Sequence, residues 1–116
     1  VLIKKTYIGG IIAPGIRISL NTLSDKASLI PKINLKKIKK VIGRDTKSAV
    51  RSGFFWGYAG LIDNIINLIK KEKRKTFELV ITGGFSDLFI GSIKTKFTKN
   101  KNITLNGLIK ISRLIK

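Results

Sequence analysis

The chain has 116 residues, with 24 Lys and Arg against six Asp and Glu, for a formal charge of +18. It contains neither cysteine nor histidine, which excludes disulfides, Cys/His zinc centres, Ser-His-Asp triads and histidine general bases. Its length suits one domain, and no apolar run approaches the roughly 20 residues that cross a bilayer, so a soluble cytoplasmic protein is expected.

The chain opens at Val1, contains no Met, and reads at residues 1–3 as the middle of a strand, so a fragment of a longer protein is expected. Residues 1–13 read as a strand pair, 1–3 and 6–12, interrupted by Gly9-Gly10. Pro14 suits the first turn of a helix, where its missing N–H is not needed. That helix is predicted over residues 14–26, with Ile16, Leu20 and Leu23 on one side. Residues 28–43 read as an irregular connection with a short strand around 40–42.

Asp45 and Thr46 are good N-cap residues, because their side-chain oxygens accept the unpaired N–H groups of a first turn. From there to residue 72 the apolar positions Phe55, Ala59, Ile62, Ile66 and Ile69 recur at helical spacing. Lys70 to Lys75 would end this helix with cations near the negative end of its dipole. Residues 77–82 then read as a strand ending in Gly83-Gly84. A short helix around 86–88, a strand over 93–97, a polar loop and a final helix from Leu108 complete the prediction. Mixed strands and helices make the fold class α/β.

Among the carboxylates, Asp45 reads as a cap, Asp63 and Glu72 as exposed helix residues, and Asp87 as a first-turn acid. None stands in a metal-gathering pattern, so neither a catalytic residue nor a metal ligand is assigned in this chain. Ala49, Gly53, Gly57 and Gly60 share one face of the long helix. Each interior Gly costs about 1 kcal/mol relative to Ala, which implies a compensating close approach. Close packing within the domain, a subunit interface and a ligand against the helix all satisfy that requirement. The turns at 8–15 and 81–84 could hold phosphate or nucleoside on backbone N–H groups, though neither matches a P-loop or a Rossmann fingerprint. The lysine runs at 36–40 and 70–75 hold a single Arg, Arg74, and no aromatic residue. They read as solvated surface from Lys-, Ile- and Asn-rich codon usage, and neither nucleic acid nor membrane is expected as a partner.

In order, Gly-Gly-Ile-Ile-Ala-Pro-Gly at 9–15, Ile-Gly-Arg-Asp-Thr at 42–46, Ser-Gly-Phe-Phe-Trp-Gly-Tyr-Ala-Gly-Leu-Ile-Asp at 52–63, Thr-Gly-Gly at 82–84 and Leu-Asn-Gly-Leu at 105–108 resemble successive C-terminal motifs of type III pantothenate kinases. The resemblance implies one RNase H-like lobe, a mixed sheet flanked by helices, from a two-lobe enzyme of the acetate and sugar kinase, heat-shock cognate and actin superfamily. It implies an ATP-dependent kinase that phosphorylates pantothenate to 4'-phosphopantothenate in coenzyme A biosynthesis. Implied with it are ATP with Mg2+, a K+ or NH4+ ion and a homodimer formed through the 46–69 helix. By position, Thr46 resembles the pantothenate contact, and Thr82, Gly83 and Gly84 the turn against the nucleotide. The family's Asp-x-Gly-Asn, Gly-x-Asp-Arg and Asp-x-Gly-Thr motifs do not occur here. The general base and the monovalent-cation ligand are therefore expected in an N-terminal part, and this chain alone is expected to be inactive. Two other classes compete with this reading: a basic nucleic-acid-binding or regulatory module, and a noncatalytic lobe that assembles with a partner.

Overall fold

In the computed structural model, which describes residues 1–115, the chain divides into two units after Ile33. The first begins with an antiparallel hairpin of β1 (Leu2–Ile3) and β2 (Thr6–Tyr7), Ile3 pairing with Thr6. Lys4 and Lys5 make the two-residue turn with φ of 48° and 64°. Such a turn matches the twist of paired strands, but it puts two side-chain-bearing residues in the left-handed region. The second strand is far shorter than the predicted 6–12, because Gly9 at φ 131° turns the chain out of the extended region.

Helix α1 (Ile16–Lys26) starts two residues later than predicted, with Gly15 as its N-cap and the Ser19 N–H donating to the Gly15 carbonyl at 2.9 Å. Ile16 and Leu20 are buried on its inner side, with Leu23 half-buried and Ile33 buried in the same unit.

The second unit is organised along α2 (Thr46–Lys73). Asp45 is its N-cap and closes a capping box with Ser48. The Ser48 N–H donates to Asp45 Oδ1 at 2.9 Å, while the Asp45 N–H donates to Ser48 Oγ at 3.2 Å. Two otherwise unpaired first-turn donors are satisfied reciprocally. The helix ends at Lys73, with Arg74 in the left-handed conformation at φ 50°. Phe55 and Ala59 are buried on the predicted apolar side, and Ile62, Ile66 and Ile69 are half-buried.

The segment before α2 lies along the helix without forming the predicted strand at 40–42. Its groups are taken by helix side chains instead of a ladder: Arg51 Nε donates to the Asn34 carbonyl at 3.1 Å, and Ser52 Oγ donates to the Val41 carbonyl. Gly43 fits there because it has no side chain. A Cβ on it would stand 2.3 Å from the Ala49 backbone nitrogen.

After α2, β3 (Val80–Ile81) pairs in parallel with β4 (Thr98–Lys99), and a 3-10 turn over Ser86–Phe89 lies between them. The strand predicted at 93–97 is absent, because the Lys94 and Thr95 N–H groups donate to the Asp63 carboxylate and are lost to any ladder. The pairing falls later, with Thr98 N–H on the Leu79 carbonyl at 2.7 Å and Asn100 N–H on the Ile81 carbonyl at 2.9 Å. Helix α3 (Ile103–Leu114) begins five residues before the predicted Leu108. Its hydrogen-bond ladder starts when the Asn106 N–H donates to the Asn102 carbonyl at 2.8 Å.

The core of this unit is Phe55, Ala59, Phe89 and Ile93, and Phe55 is wholly buried. Phe55 stacks on Phe89 with centroids 5.8 Å apart and meets Trp56 edge to face at 4.9 Å.

The Asp45 cap gives α2 a pH-dependent start. The Ser48 backbone N–H, and next the Ser48 hydroxyl, hold the Asp45 carboxyl below its usual range. The folded state therefore favours the ionised form. The cap's contribution is complete above about pH 4 and is lost as pH falls through the lowered folded value. Asp45→Ala is expected to lower the urea midpoint at pH 7 and to lose most of that difference from the parent below pH 3. Circular dichroism across the two pH values checks it, and an unchanged difference at low pH would contradict it.

Candidate functional site

Two places in the second unit carry the residues singled out from the sequence. At the first, Thr46 is the opening residue of α2 and is exposed. Beside it, Lys39, Lys40, Arg44, Asp45, Ser48 and Arg51 line a groove of about 400 Å³, and Thr46 is not part of that lining. Four cations against one acid make the groove attractive to an anion. Asp45, however, already takes the Ser48 N–H, one of the first-turn donors on which an anion would otherwise sit.

At the second place, Thr82, Gly83 and Gly84 follow β3 directly and are all exposed. Gly83 has φ 100°, where an L side chain is strained, and its carbonyl accepts the Ser86 N–H at 3.1 Å. A Cβ at either glycine would meet nothing within 4 Å. The backbone of this turn is thus open to a ligand, the condition for holding one on N–H groups.

No hydrogen bond links Thr46 with this turn. Phe55, on which the 86–89 turn packs, stands nine residues along α2 from Thr46, or about 13 Å of helix axis.

Asp63 is not the free helix-face residue that the sequence suggested. Its Oδ1 and Oδ2 accept the Lys94 N–H at 3.1 and 3.0 Å, and Oδ1 also accepts the Thr95 N–H at 3.3 Å and the Thr95 hydroxyl at 3.4 Å. One carboxylate on α2 therefore fixes the segment that leads into β4, and β4 in turn pairs with the strand that ends at Thr82. The only hint in the sequence was an acid among the apolar residues of a helix. Asp87 also does more than accompany a first turn, since it pairs with both Lys99 and Lys101, the latter at 3.2 Å.

Ala49, Gly53, Gly57 and Gly60 are all exposed, and a Cβ on any of the three glycines would meet nothing within 4 Å. Packing within this chain therefore does not account for the glycines. Among the described residues, no three carboxylates gather to hold a metal ion. No helix among them is long and apolar enough to cross a membrane.

An open glycine turn after a strand and a long capped helix belong to a mixed α/β unit. The family model for type III pantothenate kinases matches residues 1–68. A type III pantothenate kinase of Pelagibacter ubique is 68% identical over 116 residues, covering all of this chain and 47% of the relative. Enzymes of the same name from Maricaulis maris and Phenylobacterium zucineum are 40% and 38% identical, each with 42% of its length covered. The chain belongs to the type III pantothenate kinase family. It spans about half the length of the curated relatives it matches.

The Asp63 tie predicts a graded loss. Hydrogen bonds to a charged group contribute about 1.5–3 kcal/mol. Asp63→Ala is expected to destabilise the chain by about 2 kcal/mol, and Asp63→Asn by less, since it keeps one acceptor oxygen. Urea unfolding together with amide exchange at Lys94 and Thr95 measures this. Equal losses in both variants, or unchanged exchange at those amides, would count against the tie.

Proposed function

We propose that the chain is the C-terminal, RNase H-like lobe of an ATP-dependent kinase that phosphorylates pantothenate to 4'-phosphopantothenate, the first step of coenzyme A biosynthesis. Family membership sets the reaction class, and the observation that carries the reading on to this chain's residues is the open Thr82–Gly84 turn. In this reading the turn lies against the nucleotide, its backbone approachable because neither glycine carries a Cβ. The Thr46 hydroxyl, at the positive end of α2, donates to pantothenate. Lys39, Lys40, Arg44 and Arg51 add a positive field at the same end of the helix, which suits an anionic substrate.

In this reading the chain supplies binding surface, and four of its six acids are already engaged. Asp45 and Asp63 are engaged with backbone N–H groups, Asp87 with two lysines, and Glu72 pairs with Lys73 at 2.8 Å. Phosphoryl transfer depends on positioning and on stabilising charge around the transferred group. The base, Mg2+ with ATP and the monovalent cation therefore belong with an N-terminal lobe in a cytoplasmic enzyme. Ala49, Gly53, Gly57 and Gly60 present the flat face through which two copies pair, and the close approach of a second backbone would offset the roughly 3 kcal/mol that three interior glycines cost.

Two experiments test the reading. Titrating the labelled chain with ADP is expected to shift the amides of residues 82–84, and pantothenate those around Thr46, while a coupled assay with both substrates gives no turnover from the chain alone. Turnover near that of an intact kinase, or ligand shifts confined to other residues, would overturn it. For the pairing face, Gly57→Trp is expected to convert a sedimenting dimer to monomer. A parent chain that sediments as a monomer at physiological salt would remove that part of the proposal.

A further inference from the structure

The segment that carries the Thr82–Gly84 turn is mounted on α2 at two points. The first is apolar, where Phe89 stacks on Phe55 with centroids 5.8 Å apart. The second is polar, where the Asp63 carboxylate accepts the Lys94 N–H at 3.1 and 3.0 Å and the Thr95 N–H at 3.3 Å. Phe55 and Asp63 stand eight residues apart, or about 12 Å along the helix axis. Burial of the rings attracts without fixing direction. Hydrogen bonds to a carboxylate are directional and charge-assisted, so the second point sets an orientation that the first does not.

Both arms of the glycine turn run back to β4. On the entry side, the Thr98 N–H donates to the Leu79 carbonyl at 2.7 Å and the Asn100 N–H to the Ile81 carbonyl at 2.9 Å. On the exit side, the Gly83 carbonyl accepts the Ser86 N–H at 3.1 Å, and Asp87 pairs with Lys99 of β4 and with Lys101. Thr95 lies three residues before β4. Wherever Asp63 holds Lys94 and Thr95, β4 follows, and β3 and the turn go with it. Without that carboxylate the assembly would rest on α2 through Phe89 and Ile93 alone, which are buried apolar contacts that tolerate a swivel.

We propose that Asp63 is a positioning residue, whose carboxylate sets the orientation of the Thr82–Gly84 turn relative to α2. Thr46 opens the same helix, so Asp63 holds the contacts for both substrates in one frame. The proposal rests on the reading of the turn as the nucleotide contact and of Thr46 as the pantothenate contact. Asp63 itself touches neither ligand and acts through the Lys94 and Thr95 N–H groups. Charge alone predicts the opposite effect on binding. Removing an acid from a chain of formal charge +18 strengthens its attraction for anions, so an Asp63 variant that binds ADP more weakly reports geometry.

The test titrates ADP into the parent chain, Asp63→Ala and Asp63→Asn, following the amides of residues 82–84. Glu72→Gln removes the same charge from the same helix and serves as the control, since Glu72 pairs with its neighbour Lys73. Residual dipolar couplings of the amides at 80–84 against those of α2 report orientation, and the ring resonances of Phe55, Trp56 and Phe89 report the core. Asp63→Ala is expected to weaken ADP about tenfold and Asp63→Asn about threefold, with altered couplings and unchanged rings. The control is expected to bind at least as tightly as the parent. Asp63→Asn keeps one acceptor oxygen and serves where the Ala variant does not fold. Parental affinity in a folded Asp63 variant, or parental couplings, would overturn the positioning role and leave the turn reading standing. Weakening that appears only with loss of the ring resonances, or equally in the control, would also overturn it. No shift at 82–84 in the parent in millimolar ADP would remove the turn reading and this proposal with it.

Discussion

Phe55 packs face to face on Phe89, and the second unit is arranged around that contact. Among the described residues it is the one large side chain with no exposure, and it stands on the inner face of α2 where the chain returns through the 86–89 turn. Stacked aromatic pairs add about 0.5–1.5 kcal/mol beyond their buried area. Here the pair also fixes geometry. With Phe89 seated, Ile93 is buried, the Lys94 and Thr95 N–H groups reach Asp63, and β4 is delivered to β3 in the register that opens the Thr82–Gly84 turn. An apolar contact selects the approach, and a carboxylate then locks it.

What these contacts do not cover is equally informative. Helix α3 has no buried residue, and Leu105, Leu108 and Ile111 are more than half exposed. Among the described residues both sheets have only two strands, and paired strands of this size are marginal unless they pack on something further. Among the described residues, the Trp56 indole N–H and the Ser86 hydroxyl are buried without a hydrogen-bond partner. Such groups cost about 1–3 kcal/mol each when left unsatisfied. Exposed apolar helix faces, short sheets and unsatisfied donors are what one lobe of a larger enzyme presents in the proposed reading, and the chain's coverage of about half of its relatives is consistent with it.

Much of the second unit was legible in local sequence. Asp45 as a cap, the apolar spacing of α2 and the cationic run at its end depend on neighbours within one or two turns, and all three stand where they were read. The glycine turn at 83–84 was legible for the same reason. The strand at 93–97 was misread because its apolar residues suit a strand, whereas its backbone donors are claimed by a carboxylate some 31 residues away. The start of α3 was misread because Asn106 and Gly107 resemble loop residues, although the first hydrogen bond of the helix runs to Asn102.

The sequence by itself determined the family, the long capped helix and the glycine positions, because these are encoded in short-range chemistry and in motifs kept in order. Only the tertiary structure decided that Asp63 is a clamp, that the glycines of α2 face open space, and that α3 buries none of its residues. The physical reason is range. A cap or a periodic face is satisfied by residues a few positions away, whereas a hydrogen-bond acceptor or an uncovered surface is settled only when distant parts of the chain have taken their places.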